Sequence, residues 1–373
     1  MGFNSSGEFH FDSYPQRIFV ASILSVVFFL GVFGNGLVIL AVLVSHRLRD
    51  VTNVFVVNLA VADFLTCLCV PANIIALVSP NTWPFKSMFI CTVAATVTYT
   101  SIGVSLYNLA SLAVIRCILM TQSLACYTRI FQNKFLIIVW IFLLWFVPAM
   151  IVMLPVSFSV DHLGYDPVYH SCTDSTSNLP NPMNERTKDA VLAIGFFFLP
   201  TVVLIVAYWK IYKHVMIHSD ILKAKKGQPG SLTMKDLKRV AKSVELSSGI
   251  SRSVSRESLS RVSQPTTPVS GRYRKHWTGR SIIKSNLSRR QLDITKNLFY
   301  VVCAFLVCIT PYVILLIFDD TYLAPFAPYA ACFLVTNSCI NWIIYATKHP
   351  HFKVVIRCLL KCQWDEIPEP VKW

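Results

Sequence analysis

Charge is what this 373-residue chain has least of: Asp, Glu, Lys and Arg make up 14% of it, where a soluble domain carries about a quarter. With hydrophobic residues at 54%, that shortage excludes a water-soluble fold of this length. Ten-residue stretches of strict apolar–polar alternation are missing as well, which excludes a transmembrane barrel. Acids are scarcer than bases, 19 against 34, and the resulting net charge of +15 invites a nucleic-acid reading. Its location argues against one, because 19 Lys and Arg but only five acids stand between Lys213 and Lys296, so nearly all of the excess lies in one connection. No His–carboxylate cluster falls within an apolar stretch, since all nine histidines lie in connections or at helix ends, and this excludes an intramembrane metal hydrolase. The leader MGFNSSGEFHFDSY has no apolar core, so no cleavable signal peptide is expected.

What is present is seven apolar runs, beginning near Ile18, Val54, Met88, Phe135, Ala190, Thr295 and Ala324. Each covers the roughly 20 residues that a helix needs to cross about 30 Å of hydrocarbon. Backbone groups in lipid must bond within their own segment, so runs of this length are helices. The expected fold is an all-α membrane protein, a seven-transmembrane helix bundle with a short amphipathic eighth helix. Residues 1–17 form an extracellular amino terminus, 18–346 the bundle with a disordered basic loop at about 217–292, and 347–373 a cytoplasmic amphipathic helix and tail. Arg47, Arg49, Arg129, Lys353 and Arg357 mark the cytoplasmic side, and Asp161, Asp166, Asp174, Asp319 and Asp320 the opposite one. The expected location is therefore the plasma membrane, with the amino terminus outside and the tail inside.

That topology sorts the modification signals. Asn4-Ser5-Ser6 fits N-glycosylation, which an external terminus favours over myristoylation of Gly2. Of twelve cysteines, six lie within spans as small hydrophobes, and Cys91 and Cys172 sit at the external face. A disulfide between those two is expected, closing a loop of about 80 residues. Cys358 and Cys362, four apart in the basic amphipathic stretch after Tyr345, are palmitoylation candidates on one helical face. The Ser- and Arg-rich internal loop cannot bury enough surface to fold alone, and Ser255, Ser258, Ser260, Ser263 and Thr267 suit basophilic or proline-directed kinases.

Polar residues inside spans are costly and therefore informative. Asp63 lies within the second run, flanked by apolar residues, and must face the bundle interior. Asn35, Ser105, Asn337 and Asn341 are also polar and intramembrane. Together these five make either a hydrogen-bonded cluster or an oxygen cage for a small cation.

At this point the chain resembles the rhodopsin-like family of G-protein-coupled receptors across all seven spans. The resemblance rests on Gly34-Asn35, Leu59-Ala60-Val61-Ala62-Asp63, Cys91 with Arg116, Trp140, Pro200 with Tyr208, Phe305 with Cys308 and Pro311, and Asn341 with Tyr345. It implies that Arg116 docks a heterotrimeric G protein, that Tyr208 and Tyr345 support the open state, and that Pro200, Phe305, Pro311 and Asn341 belong to the activation switch. Asp63, Ser105, Asn337, Asn341 and Asn35 would be a sodium pocket, with sodium as an allosteric ion and no other cofactor. Arrestin, receptor kinases, membrane lipids and an extracellular small-molecule ligand are the further partners implied. Tyr165-Asp166-Pro167, Ser171-Cys172-Thr173 and Asn337-Ser338-Cys339-Ile340-Asn341 look like melatonin receptors and moody-type orphan receptors. Met150 and Phe196 replace the asparagine and histidine those melatonin receptors use, so melatonin itself is not implied.

The chain departs from the family at its switch. Ile115 and Cys117 flank Arg116 where an acid and a tyrosine are usual, Ile309 stands in place of a tryptophan, and Trp342 in place of a proline. Elevated basal signalling is expected from Ile115, and a weaker kink from Trp342. Thr98 takes the place of the aspartate of amine receptors, so a small neutral or lipophilic ligand is expected in a cavity lined by Thr98, Tyr99, Ile102, Phe196, Phe197, Ile309 and Tyr312. Val335 holds the place of an opsin's lysine, which excludes retinal attachment. An ion-coupled transporter using Asp63 is the alternative, but the two halves show no matching repeats.

Overall fold

The computed structural model describes residues 2–3, 9–80, 82–122, 124–157, 163–174, 191–227, 295–296, 299–318 and 322–371. Asn4, Ser255, Ser258, Ser260, Ser263 and Thr267 lie outside them. Among the described residues seven helices are long and apolar enough to cross a membrane. They are Tyr14–Val44, Val51–Val78, Phe89–Thr121, Lys134–Ser157, Ala193–Met216, Phe299–Ile317 and Ala324–Lys348, helices one to seven below. Contact density divides the chain into Met1–Ala207 with Ile294–Trp373, and Tyr208–Asp293.

Helix one begins before the expected boundary, because Pro15 in its first turn needs no amide partner and favours helical φ. Helix two starts at an N-cap, with the Asp50 side chain accepting from the Asn53 amide at 2.7 Å. Helix three is central: 72% of its apolar window is buried, against 17% for helix four, which leaves most of helix four's surface for lipid. Glycines set the closest approaches. A Cβ on Gly31 would meet Cys67, one on Gly34 would meet the Trp342 indole, and one on Gly103 would meet Phe196 and Pro148.

Helix five opens with a π-turn, Ala193–Phe198, ahead of Pro200. Pro200 has no N–H to give, and Tyr107 of helix three donates its hydroxyl to the Gly195 carbonyl at 2.9 Å within that turn. The helix continues to Gly227, past the expected loop start near 217, through residues of good helix propensity. In the second unit, described by itself, Lys213 Nζ lies 3.7 Å from the Trp209 ring centroid one turn back.

A short helix, Leu124–Phe131, links helices three and four, and an amphipathic helix eight, Pro350–Leu360, follows helix seven. Helix eight buries Phe352, Val355, Ile356, Cys358 and Leu359. It ends in a Schellman closure: Gln363 N donates to Cys358 O at 2.9 Å and Cys362 N to Leu359 O at 3.1 Å. Cys362 takes the left-handed position at φ 55° that glycine usually fills. The closure corrects the expectation that Cys358 and Cys362 share a helical face, since Cys358 is buried inside the helix and Cys362 is exposed beyond its end. The chain then returns to helix one, where Ser45 Oγ donates to Pro368 O at 2.6 Å, His46 N to Glu369 O and Val371 N to Val44 O, both at 2.9 Å.

Candidate functional site

At one end of the bundle, strands Leu163–Asp166 and Ser171–Asp174 form an antiparallel hairpin in which Tyr165 pairs with Cys172. Several attachments hold it over the helices. Cys172 is disulfide-bonded to Cys91 at the start of helix three, Asn73 Oδ1 of helix two accepts from Cys172 N at 2.8 Å, and Thr92 Oγ1 donates to Leu163 O at 2.9 Å. The amino-terminal segment lies across the turn: Phe11 N donates to Val168 O at 2.9 Å, and Asp12 approaches His170 Nε2 at 3.7 Å. Burial, then the Arg17 charge, holds the His170 imidazole below its ordinary pKa, and the facing Asp12 opposes both. Arg17 itself is buried and donates to the carbonyls of Leu77, Ser79 and Pro80 at the end of helix two.

Beneath this roof is a cavity of about 260 Å³. Val20 and Leu24 line it from helix one, Val70, Asn73 and Leu77 from helix two, and Thr98, Tyr99 and Ile102 from helix three. Tyr312 and the helix-seven residues Ala327, Cys332 and Val335 complete the wall, with Asp166, Tyr169, Thr173 and Asp174 above. The Tyr99 hydroxyl lies 2.6 Å from Thr173 Oγ1, 3.0 Å from Asp174 Oδ1 and 3.1 Å from the Tyr312 hydroxyl. Phe196, Phe197 and Ile309 do not line it, contrary to expectation. Phe196 instead fills the space left by Gly103 against Pro148, Phe197 packs on the Phe198 ring at 5.3 Å, and Ile309 is buried in the core. The cavity is consequently displaced toward helices one, two and seven.

Deeper in the bundle, Asp63 is fully buried. Its Oδ1 accepts from Ser105 Oγ at 3.0 Å and its Oδ2 from Asn341 Nδ2 at 2.7 Å, joining helices two, three and seven. Asn337 is buried nearby in sequence on helix seven, and the Oδ1 atoms of Asn337 and Asn341 have no protein donor. The Asp63 carboxylate with the Ser105 hydroxyl beside it is hard oxygen chemistry of the kind a small cation takes. Asn35 is committed elsewhere. Its amide donates to Gly31 O at 3.0 Å and Ser338 O at 2.8 Å, so it clips helix one to helix seven rather than solvating Asp63.

At the opposite end, Ile115, Arg116 and Tyr345 are all buried. Tyr345 packs on Phe352 of helix eight at 5.8 Å, and Thr295 Oγ1, ahead of helix six in the chain, donates to Met120 Sδ of helix three at 3.2 Å. Phe305 is buried and Pro311 half-buried on helix six, while Tyr208 is half-buried in the second unit. His349 caps helix eight, its Nδ1 accepting from Phe352 N at 3.4 Å. Burial first, then the charges of Arg116 and His351, push its pKa down to about 3. The unfolded chain takes up this proton near 6.5 and the folded chain does not. Stability from neutral His349 is therefore complete above that value and drains as pH falls from 6.5 toward about 3. His349→Asn, a non-titrating cap, is expected to flatten the fall in melting temperature between neutral pH and about pH 5. An unchanged profile would assign the acid sensitivity to other groups. Arg17, Asn73 and His349 carry no signal in the sequence beyond being polar residues in or beside a span.

The family description "7 transmembrane receptor (rhodopsin family)" matches residues 34–345. The G-protein coupled receptor moody of Drosophila melanogaster is 26% identical over 360 residues, covering 92% of this chain and 51% of that protein. Melatonin receptor type 1A of Phodopus sungorus is 28% identical over 202 residues, covering 53% of this chain and 54% of that protein. The chain thus spans about half the length of the curated relatives it matches. Squid rhodopsin superposes with a TM-score of 0.67 at 17% identity, over 94% of this chain and 87% of that one, a likeness of fold. With seven membrane-length helices, a hairpin tied to helix three and a family match over most of its length, the chain belongs to the rhodopsin family of seven-transmembrane receptors.

Proposed function

We propose that this protein is a plasma-membrane receptor that binds a small neutral or lipophilic ligand from outside and activates a heterotrimeric G protein. The observation that carries the reading is the division of the bundle into a cavity beneath the hairpin and a buried Arg116–Tyr345 end. The hairpin end faces outward, since the connections at the Arg116 end hold Arg47, Arg49 and Arg129. Activation is a population shift: a ligand that fits the open form better than the closed one releases Arg116 toward the G protein. A sodium ion on Asp63, Ser105, Asn337 and Asn341 would supply positive charge that favours the closed form. Cys362, the exposed thiol, suits acylation better than Cys358. Phosphorylation of the internal loop, followed by arrestin, would end the signal. The transporter alternative has lost its support with the family assignment.

Ile115 is fully buried beside Arg116 and offers it no charge. An intrahelical pair between positions 115 and 116 is therefore excluded, and ligand-free nucleotide exchange should exceed that of Ile115→Asp at equal surface level. Exchange measured in sodium chloride should also fall below that in choline chloride. Equal exchange by the native chain and Ile115→Asp would remove the claim of basal activity. No exchange on any G-protein family would remove the receptor reading itself.

A further inference from the structure

We infer that the cavity selects an uncharged medium-chain amphiphile, with its tail between helices one, two and seven and a hydroxyl- or amide-bearing head at the Tyr99–Thr173–Tyr312 cluster. This rests on the receptor reading above and names the ligand class for its cavity. The cavity has two chemically distinct sides. Val20, Leu24, Val70, Leu77, Cys332 and Val335 make the first, an apolar lobe. Phe9 and Phe11 of the amino-terminal segment pack in the same hydrophobic cluster, so a head group placed there would lose water and find no partner. The second side carries the hydroxyls of Tyr99, Thr173 and Tyr312, all within 3.1 Å of one another through Tyr99. Hydroxyls that already exchange hydrogen bonds can re-form them with a ligand's own hydroxyl or amide at little net cost.

Charge narrows the head group. Among the described lining residues there is no Lys, Arg or His, whereas Asp166 and Asp174 are present. An anionic head would meet like charge in a poorly solvated site. A cationic head finds no acid on helix three, where Thr98 stands, and the pull of Asp174 on it is weakened because Oδ1 already accepts from Tyr99 and Thr173 at 3.0 and 2.8 Å. Size narrows the tail: about 260 Å³ falls just below the usual span of ligand pockets, roughly 300–1,000 Å³. A cavity of that size, shared between tail and head, favours a medium chain over a long one.

The test is direct binding to the purified full chain in lipid nanodiscs with no G protein present, read as a saturable rise in melting temperature. The probes share one tail: 1-decanoylglycerol, decyl phosphate and decylamine. The glycerol ester is expected to bind, tightening about fourfold per methylene on lengthening the acyl chain from octanoyl to decanoyl. Decyl phosphate and decylamine should each bind roughly tenfold more weakly or not at all. Leu24→Trp and Val335→Trp fill the lobe from different helices, and either should abolish binding while its ligand-free melt stays cooperative. No saturable binding by the native chain, a charged probe binding as tightly as the ester, or binding that survives in both filled variants would overturn the proposal. A chain that promotes nucleotide exchange yet fails this test loses only the ligand class. A chain that binds the ester yet never promotes exchange loses the G-protein reading instead.

Discussion

Arg17→Met is expected to lower the melting temperature by roughly 5 °C or more, a loss of about 3 kcal/mol. Arg17 is only 2% exposed. Its Nε donates to Leu77 O at 2.7 Å, its Nη1 to Pro80 O at 3.5 Å and its Nη2 to Ser79 O. Carbonyls at a helix C-terminus lack intrahelical partners and form the negative pole of the helix dipole, so one guanidinium satisfies several acceptors at once. Methionine keeps the apolar stem and removes every donor. Arg17→Lys should recover only part of the loss, because an ammonium cannot match a fork of N–H groups. A variant that melts within a degree of the native chain would show that these bonds contribute nothing net.

Gly34→Ala should be comparably damaging for a steric reason. The added Cβ would sit 2.2 Å from Cδ2, Cε2 and Nε1 of Trp342, inside the van der Waals radius of a rigid ring. Overpacking of this kind costs about 1–3 kcal/mol, because either the indole leaves its rotamer or helices one and seven part. The neighbouring Asn35 clip to Ser338 O would be strained by that parting. Trp342→Leu alone also destabilises by leaving a cavity, but in the Gly34→Ala background it should restore much of the loss. The double-mutant cycle should therefore show a strong coupling, larger than about 1 kcal/mol. Additive melting shifts would mean that the two residues do not press on each other.

Both residues show where the sequence stops being informative. Gly34 is legible as a small residue in a span, but nothing local says which of six other helices will approach it. The spans themselves are apolar all round, so periodicity does not reveal which face of helix five or six looks inward. That is why Phe196, Phe197 and Ile309 were expected at a cavity they do not line: Gly103 draws Phe196 into helix packing, and the cavity opens toward helices one, two and seven. The contacts of Asp63 with Ser105 and Asn341 were more legible, because a carboxylate in hydrocarbon must find donors and few polar residues are available. The separation of Asn35 from that cluster was not, since an asparagine amide is satisfied equally well by carbonyls. Cys362 was misread for a backbone reason: the Schellman closure turns the chain out of the helix before its second thiol is reached.

By itself the sequence determined the number of spans, the helical state of each, the disulfide between Cys91 and Cys172 and the family. The reason is that hydrocarbon permits no unsatisfied backbone and tolerates few polar side chains, so those properties are written locally. Only the tertiary structure decided where the cavity lies, that Arg17 closes helix two, that Phe9 and Phe11 pack with the residues of the apolar lobe, and that the tail returns to helix one. Each of these depends on contacts between residues far apart in the chain, and such contacts are selected by how whole helices pack rather than by any residue's own neighbours.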